Sequence, residues 1–274
     1  MGLFGKLFEK KECAICGGEI GLLGNRKLED GNMCKACAAK LSPWFDERRH
    51  STVAQIEEQL EYRESNKENV AAFRTTLSLG ETAKVLVDED AGRFMVTSAR
   101  NYSEANPDVL ELSDITGCTY DIDEGIDEVT RFDENNEAVS YDPPRFTHSY
   151  NFYVTVYVNN PYFDDMRLKV NSRTVEVEER RGPAVSANPG SINLVIGSLS
   201  GAETFNPEAS VEYRTYRDLC ERIVATLLEN RQSAREEIAA AAAPKAAVAC
   251  PYCGATTTPT TTNCCEFCGG ALGD

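Results

Sequence analysis

The most regular hydrophobic pattern in the chain is a two-residue alternation between positions 149 and 158. This alternation predicts a β-strand with one face in a core. Similar short apolar segments are separated by Asp, Asn, Gly and Pro residues that form turns, so their spacing predicts an antiparallel sheet or small barrel. The predicted strands are residues 84–87, 93–96, 109–112, 115–122, 149–158, 166–170 and 174–177.

Two segments repeat their apolar residues with the period of a helix. Thr52 and Gln55 form a capping-box pattern at the start of the first, which predicts an amphipathic helix over residues 52–73. The second segment, residues 208–238, predicts a helix that covers an open end of the barrel. The main apolar positions are Val53, Ile56, Leu60, Val70 and Phe73 in the first helix, and Leu219, Ile223, Val224, Leu227 and Leu228 in the second.

Three further segments are defined by composition. Residues 1–11 place Leu and Phe opposite Lys at helical spacing, and we favour an amphipathic arm that packs on the protein over one with a weak membrane-surface role. Residues 182–207 are rich in Gly, Pro, Ser and Asn and predict a long loop. Residues 239–249 are an Ala-rich stretch with one proline and predict a linker.

Eight of the eleven cysteines fall in four Cys-x-x-Cys pairs. The pairs are Cys13/Cys16, Cys34/Cys37, Cys250/Cys253 and Cys265/Cys268. No secretory signal is recognisable, so we expect a cytoplasmic protein in which disulfides are rare and paired cysteines bind metal. Two thiolates on one tight turn reach a single ion, and two such turns complete a tetrahedral site. The spacing therefore predicts two structural zinc ions, one near each end of the chain.

The cysteines allow other interpretations. A thioredoxin-like redox pair requires a βαβ context, and a rubredoxin-like iron site uses the same four thiolates as zinc. Spacing to Cys268 favours Cys265 over Cys264 as the ligand. Cys118 and Cys220 lie in apolar surroundings and are expected to be buried, inert thiols.

Charge and motifs narrow the range of functions. The chain has 28 basic and 44 acidic residues, a formal charge of −16, which argues against nucleic acid as a partner. The sequence has no phosphate-binding loop and no Gly-x-Ser-x-Gly motif, and its two histidines, His50 and His148, are far apart, so we predict no enzyme activity. The acidic stretch 121–137 is either a solvated hairpin or a docking surface for a basic partner.

Three resemblances follow from these motifs. Residues 13–73, with CAIC, GLLG, CKAC and LSP before a Glu/Arg-rich helix, resemble an uncharacterised bacterial zinc-finger family, a domain of unknown function. That resemblance implies a bacterial, cytosolic protein without established activity. Residues 77–230 resemble a pleckstrin-homology-like barrel in element order, but Asp88, Glu89 and Asp90 stand where lipid-binding members carry basic residues. The segments CPYCG and CEFCG resemble the zinc ribbons appended to many bacterial proteins.

These observations predict an α+β fold in which an antiparallel, pleckstrin-homology-like β-barrel with a C-terminal helix is flanked by two small four-cysteine zinc modules. The predicted parts are an arm at 1–11, a zinc module at 12–50, a linking helix at 51–76, the β-rich domain at 77–238, a linker at 239–249 and a zinc ribbon at 250–274. The predicted function is a zinc-binding scaffold or adaptor that binds protein partners. The alternatives are a nucleic-acid-binding zinc-ribbon protein and a thiol or zinc redox sensor.

Overall fold

A computed structural model describes residues 11–179, 205–243, 247–259 and 262–272. The predicted arm, apart from Lys11, and most of the predicted loop at 182–207 lie outside these ranges. The chain divides into two units, Met1–Arg231 and Gln232–Asp274, and each is described by itself. Across the described ranges, no helix has the length and apolar character needed to cross a membrane.

The first unit begins with two small hairpins and two helices. Its elements are β1 (Lys11–Glu12), β2 (Glu19–Ile20), β3 (Arg26–Lys27), β4 (Asn32–Met33), α1 (Lys35–Ala38), a 3-10 turn (Glu47–His50) and α2 (Val53–Ala72). Strand β1 pairs with β2, and β3 pairs with β4. The predicted capping box is present at the start of α2, because the Gln55 side chain accepts the Thr52 N–H at 2.8 Å and Thr52 Oγ1 accepts the Gln55 N–H at 3.3 Å.

Helix α2 belongs to two apolar clusters at once. Near its start, Ile56 is buried among residues that surround the first four cysteines, with Val53 and Leu60 packed at the margin. Towards its end, Val70 and the following Phe73 pack on the sheet that comes next in the chain. One helix therefore contributes to the core of the cysteine-rich module and to the core of the β-rich region.

The first large sheet is a four-stranded antiparallel meander. Its strands are β5 (Leu77–Leu79), β6 (Lys84–Asp88), β7 (Arg93–Thr97) and β8 (Val109–Glu111), in that spatial order, with the short helix α3 (Tyr102–Ala105) between β7 and β8. Asp88 stabilises the acidic turn between β6 and β7. Its buried carboxylate accepts the Ala91 N–H at 3.1 Å and the Arg74 N–H at 2.8 Å.

The second sheet is built on a long antiparallel hairpin. Its strands are β9 (Ile115–Phe132), β10 (Ala138–Val158), β11 (Asp165–Lys169) and β12 (Val175–Glu178). Strand β10 pairs with β9 on one side, and with β11 and then β12 on the other. The buried Asn171 lies at the change of partner, where its side chain accepts the Phe152 N–H at 2.8 Å and donates to the Tyr150 carbonyl at 3.2 Å.

Helix α4 (Val211–Ala242) begins in the first unit and crosses the boundary that follows Arg231, and its part in the first unit packs on the β-rich region through one apolar stripe. Its buried residues are Tyr216, Leu219, Cys220, Ile223 and Leu227. The Tyr216 ring lies 5.8 Å from that of Phe152 in the second sheet, and its hydroxyl donates to Glu81, between β5 and β6, at 3.1 Å. The predicted C-terminal helix is thus present and contacts the region of both sheets.

The sheets differ from the barrel that the sequence predicted. Strands β5 to β12 form two separate four-stranded antiparallel sheets, in which β5 and β9 each have a single ladder partner, so no closed barrel exists in the described ranges. A mixed fold of helices and antiparallel sheets, with cysteine clusters near both ends of the chain, is confirmed. The pleckstrin-homology-like architecture stays a prediction.

In the described residues of the second unit, after the end of α4, β13 (Val248–Ala249) pairs with β14 (Thr256–Thr257), and Cys264 forms an isolated antiparallel bridge with Ala271. Its buried cluster consists of Cys250, Cys265 and Leu272. Within the predicted linker, α4 continues to Ala242, while residues 244–246 lie outside the described ranges.

Candidate metal centres

The first cysteine cluster begins with a tight turn between β1 and β2. The sulfur atoms of Cys13, Cys16, Cys34 and Cys37 lie within 4.8 Å of one another. Gly17 donates its N–H to the Cys13 carbonyl at 2.8 Å and has a φ of 68°, a conformation that glycine adopts without a Cβ clash. This turn directs the first two thiols to one side.

The other half of this cluster is a helix start instead of a second turn of the same kind. Cys34 is the N-cap of α1, and its sulfur accepts the Cys37 N–H at 3.3 Å. The chain continues as helix after Cys37, so no positive φ is needed at the next residue. This explains why Ala38 follows the second pair where a glycine follows the other three.

The second cluster is built from two similar turns. The sulfur atoms of Cys250, Cys253, Cys265 and Cys268 also lie within 4.8 Å of one another. Gly254 donates to the Cys250 carbonyl and Gly269 to the Cys265 carbonyl, both at 2.8 Å. Both glycines have positive φ, at 73° and 70°. The repeated turn is the geometry expected of a zinc ribbon.

Cys265, and not its neighbour Cys264, belongs to the second cluster. Cys265 is 2% exposed, and its sulfur lies 3.8 Å from that of Cys253. The Cys264 thiol is directed to the Thr262 carbonyl at 3.4 Å. Adjacent residues in an extended segment point in opposite directions, so only one of the two can reach the cluster.

The distances between sulfur atoms fit tetrahedral coordination of a metal ion. Four sulfurs at about 2.3 Å from one ion are separated from each other by about 3.8 Å. The observed separations are 3.9 Å for Cys16–Cys34, 3.8 Å for Cys253–Cys265 and 3.6 Å for Cys250–Cys268. Each cluster can therefore hold a metal ion, and zinc and iron both accept this arrangement. Four protein ligands leave no open position for a substrate.

Without a cation, the four sulfurs of the first cluster do not all favour the thiolate form. Burial acts to raise the pKa of Cys13, but backbone N–H groups of Cys34, Cys16 and Ile15 donate to its sulfur and lower the pKa to about 6. Burial and the neighbouring sulfurs raise the pKa of Cys37 to about 12. A bound divalent cation removes this conflict by stabilising all four thiolates together.

In the second cluster, too, one cysteine has a lowered pKa and another a raised pKa. The pKa of Cys265 is lowered to about 6 because N–H groups of Cys268 and Phe267 outweigh the effect of burial. The Gly270 N–H acts to lower the pKa of Cys268, but the sulfurs of Cys250 and Cys253 raise it to about 12. In this cluster too, a bound divalent cation would stabilise all four sulfurs as thiolates.

The remaining residues singled out in the sequence are not in either cluster. His50 is exposed at the end of the 3-10 turn. His148 is 8% exposed, and its Nδ1 lies 2.8 Å from a Glu124 oxygen that also accepts the Tyr150 hydroxyl at 2.8 Å. The ring of Phe205 stacks on His148 with centroids 3.8 Å apart. This histidine has a packed, structural environment.

The two other cysteines are buried thiols. Cys118 is 7% exposed and Cys220 is inaccessible to solvent. Burial raises the pKa of both thiols to about 12. At neutral pH both are protonated and act as small apolar side chains.

The acidic stretch 121–137 forms most of β9 and the turn that follows it. Asp133 closes the turn, since its carboxylate accepts the N–H groups of Asn135 at 2.8 Å and Glu137 at 2.9 Å. Asp121 pairs with Arg167 of β11 at 2.5 Å. No group of carboxylates arranged to bind a cation was found in the described residues outside the two cysteine clusters.

Comparison with known proteins gives one match. Residues 11–59 match the model of a family described as a domain of unknown function, DUF4428. The match covers the first cysteine cluster and the first turns of α2, and it extends past the predicted module boundary at residue 50. No curated protein matches the chain, and no solved structure matches it.

Proposed function

We propose that the chain is a non-enzymatic scaffold or adaptor of bacterial cytoplasm, whose two closed zinc sites hold surfaces that bind other proteins. The observation that carries this proposal is the geometry of the two cysteine clusters. Each supplies four thiols to one ion and leaves no coordination position for catalysis. Zinc is proposed over iron because two cysteine pairs at these spacings are typical of structural zinc modules.

The β-rich region fits a pleckstrin-homology-like module in its order of elements. Two four-stranded antiparallel sheets precede a helix that contacts the region of both. The β6–β7 turn supports a module that does not bind inositol phosphates, since Asp88 is engaged with backbone N–H groups and Glu89 and Asp90 are exposed. We infer that the module presents surfaces to protein partners.

The surface best suited to a protein partner is the outer part of the β9–β10 hairpin, residues 126–146, here called the hairpin arm. Ile126 and Phe132 are 58% and 72% exposed on it. Asp127, Glu128 and Glu134 are exposed carboxylates on the same arm. Apolar side chains surrounded by carboxylates suit a basic partner, because the charges guide the encounter and the apolar contacts contribute affinity.

The proposal is tested by placing a photo-crosslinking amino acid at Phe132 of the full chain in cells. We expect a discrete adduct with a basic protein, and we expect Asp127→Lys combined with Glu128→Lys to abolish it. The matched control is the same probe at Tyr157, which is 42% exposed near the base of the same sheet and is expected to give no such adduct. A folded, metal-loaded protein that forms no adduct from Phe132 contradicts the proposal.

A thiol or zinc sensor is the second candidate, favoured by the exposure of metal ligands. Cys253 and Cys268 are both exposed in the second cluster, where an oxidant can reach them. Thiolate oxidation removes a ligand and releases the metal. We expect mild peroxide to release metal from this site and to change the oligomeric state. Retention of metal and of oligomeric state under peroxide contradicts this function.

A further inference from the structure

The turn that joins β2 to β3, residues 21–24, exposes two leucines and is called here the leucine tip. Leu22 is 80% exposed and Leu23 is 89% exposed, more than the other large apolar side chains of the described residues. The Gly24 N–H donates to the Gly21 carbonyl at 2.9 Å and closes the turn. No side chain of the described residues covers these two adjacent leucines, so they are open to a partner.

The leucine tip is held by its neighbours and is not a frayed segment. Ile20 precedes it and Leu28 follows it, and both are buried in the core that surrounds the first cysteine cluster. The tip therefore protrudes from a base that the metal site stabilises.

One arginine bonds to the tip, and a second bonds to the strand that follows it. Arg26 donates to the Leu23 carbonyl at 3.5 Å, and Arg48 donates to the Lys27 carbonyl at 3.0 Å. The second bond brings the 3-10 turn with Arg48 and Arg49 next to β3. Burial, and then the positive charges of Arg26 and Arg49, lower the pKa of Arg48, so the three guanidinium groups interact.

The segment 21–27 differs in charge from the chain as a whole, which has a formal charge of −16. It contains Arg26 and Lys27 and no carboxylate, with Glu19 before it and Glu29 and Asp30 after it. Exposed leucines bordered by arginines match an anionic membrane surface, where apolar side chains enter the boundary between head groups and acyl chains and arginines contact phosphates. A nucleic acid would satisfy the arginines but leave both leucines in water.

We propose that the leucine tip inserts into the interface of an anionic lipid bilayer while Arg26, Arg48 and Arg49 contact the lipid phosphates. The first cysteine cluster then has a mechanical role, because it fixes the tip in its exposed position. The contact uses different residues from the amphipathic segment at 1–11 and places the protein on the membrane surface without a spanning helix.

The test is sedimentation of the full, metal-loaded chain with phosphatidylcholine vesicles that contain or lack phosphatidylserine. We expect binding to the anionic vesicles that weakens as salt is raised. Leu22→Ser with Leu23→Ser is expected to lower the partition coefficient at least about tenfold. Arg26→Gln with Arg49→Gln is expected to lower it about 25-fold, or about fivefold for each cation. Arg48 is left unchanged because its bond to Lys27 supports the module.

The matched control is Ile126→Ser with Phe132→Ser, which removes two exposed apolar side chains from the hairpin arm. It is expected to bind vesicles like the unmodified protein. Unchanged metal content shows that the cysteine clusters stay intact in each variant, and an unchanged far-UV circular dichroism spectrum shows that the sheets do. The proposal is overturned if neutral and anionic vesicles bind equally, or if the Leu22/Leu23 variant binds as well as the unmodified protein. It is also overturned if the Arg26/Arg49 variant loses binding to a DNA duplex but keeps its binding to vesicles.

Discussion

Arg63 of α2 donates a hydrogen bond to Asp108, before β8, at 2.7 Å, and their side chains are only 8% and 0% exposed. Ser42, which follows the first cysteine cluster, donates to the other oxygen of the same carboxylate at 2.8 Å. Arg63 also donates to the Lys40 carbonyl at 3.3 Å and to the Asn106 carbonyl. The cysteine-rich module, α2 and the first large sheet are thus joined by one buried polar network.

Asn66, one turn further along α2, extends this network. Its amide nitrogen donates to the Pro107 carbonyl at 2.7 Å, and its oxygen accepts the Val109 N–H at 3.0 Å. Asn106 adopts a φ of 50°, and its side chain donates to the Arg63 carbonyl at 2.8 Å. These bonds satisfy the backbone groups of the segment before β8 and fix it against the helix.

We expect Arg63→Met to lower the free energy of unfolding by about 3–5 kcal/mol, because it leaves the buried Asp108 carboxylate without its cation. Urea denaturation of the full chain measures this loss. The control is Arg93→Met, which removes a pair with Glu111 that is 32% and 48% exposed and is expected to cost at most about 1 kcal/mol. Equal effects of the two substitutions would show that the buried network has no special role.

The two cysteine clusters are expected to lose metal in a fixed order. The first is embedded in an apolar core that includes Ile20, Leu28, Met33 and Ile56. The second is supported by Leu272 in addition to its own cysteines. Because metal release exposes less apolar surface at the second cluster, a chelator should remove that metal first. A colorimetric competition assay measures the order of release. Release in the opposite order would contradict the packing described for the two sites.

Single substitutions distinguish the ligand from its neighbour in the second cluster. Cys264→Ser should retain both metal equivalents, whereas Cys265→Ser should retain one, since only the Cys265 sulfur lies within the cluster. Metal analysis of the purified variants provides the measurement. Loss of one equivalent from the Cys264 variant would reverse the assignment.

Local patterns in the sequence predict several of these features well. The capping box places the start of α2 because its two residues bond to each other within one turn. The Cys-x-x-Cys pairs likewise predict the turn between β1 and β2 and the turns that end at Gly254 and Gly269, because each turn is closed by a bond between residues of the same short segment. In each case the interacting groups are close in sequence, so their spacing along the chain determines the local geometry.

Other features could not be predicted because they depend on distant residues or on solvent. Strands β9 and β10 are far longer than the predicted segments 115–122 and 149–158, since their outer parts are exposed and have no hydrophobic alternation. The Arg63–Asp108 pair joins residues separated by 45 positions, and nothing near either residue indicates the other. Whether the strands form separate sheets or a barrel depends likewise on which strands pair, and a single sequence does not specify these pairings.

The buried thiols of Cys118 and Cys220 should resist alkylation in the folded protein. Their pKa values, raised to about 12 by burial, leave almost no thiolate at mildly alkaline pH. Mass spectrometry after brief treatment with iodoacetamide should find both thiols unmodified in the native protein and modified only after denaturation. Rapid modification of either cysteine in the native state would contradict its placement.

Glu124 should make a small, pH-dependent contribution to stability. Hydrogen bonds from His148 and Tyr150 lower the pKa of its carboxyl group. Its contribution is therefore present above the unfolded-state pKa of about 4.3 and is lost as the pH falls through the lower folded-state pKa. Because its side chain is 44% exposed, the contribution is at most about 1 kcal/mol. Urea midpoints of the protein and of Glu124→Gln should differ at neutral pH and converge in acid; a constant difference would contradict this.

The most direct measurement is elemental analysis of the purified full chain combined with X-ray absorption at the edge of the metal it contains. The two cysteine clusters predict two zinc ions per chain, each with four sulfur neighbours at about 2.3 Å. A chain without stoichiometric metal, or a metal whose neighbours are mainly oxygen or nitrogen, would contradict the central role assigned to the eight clustered thiols.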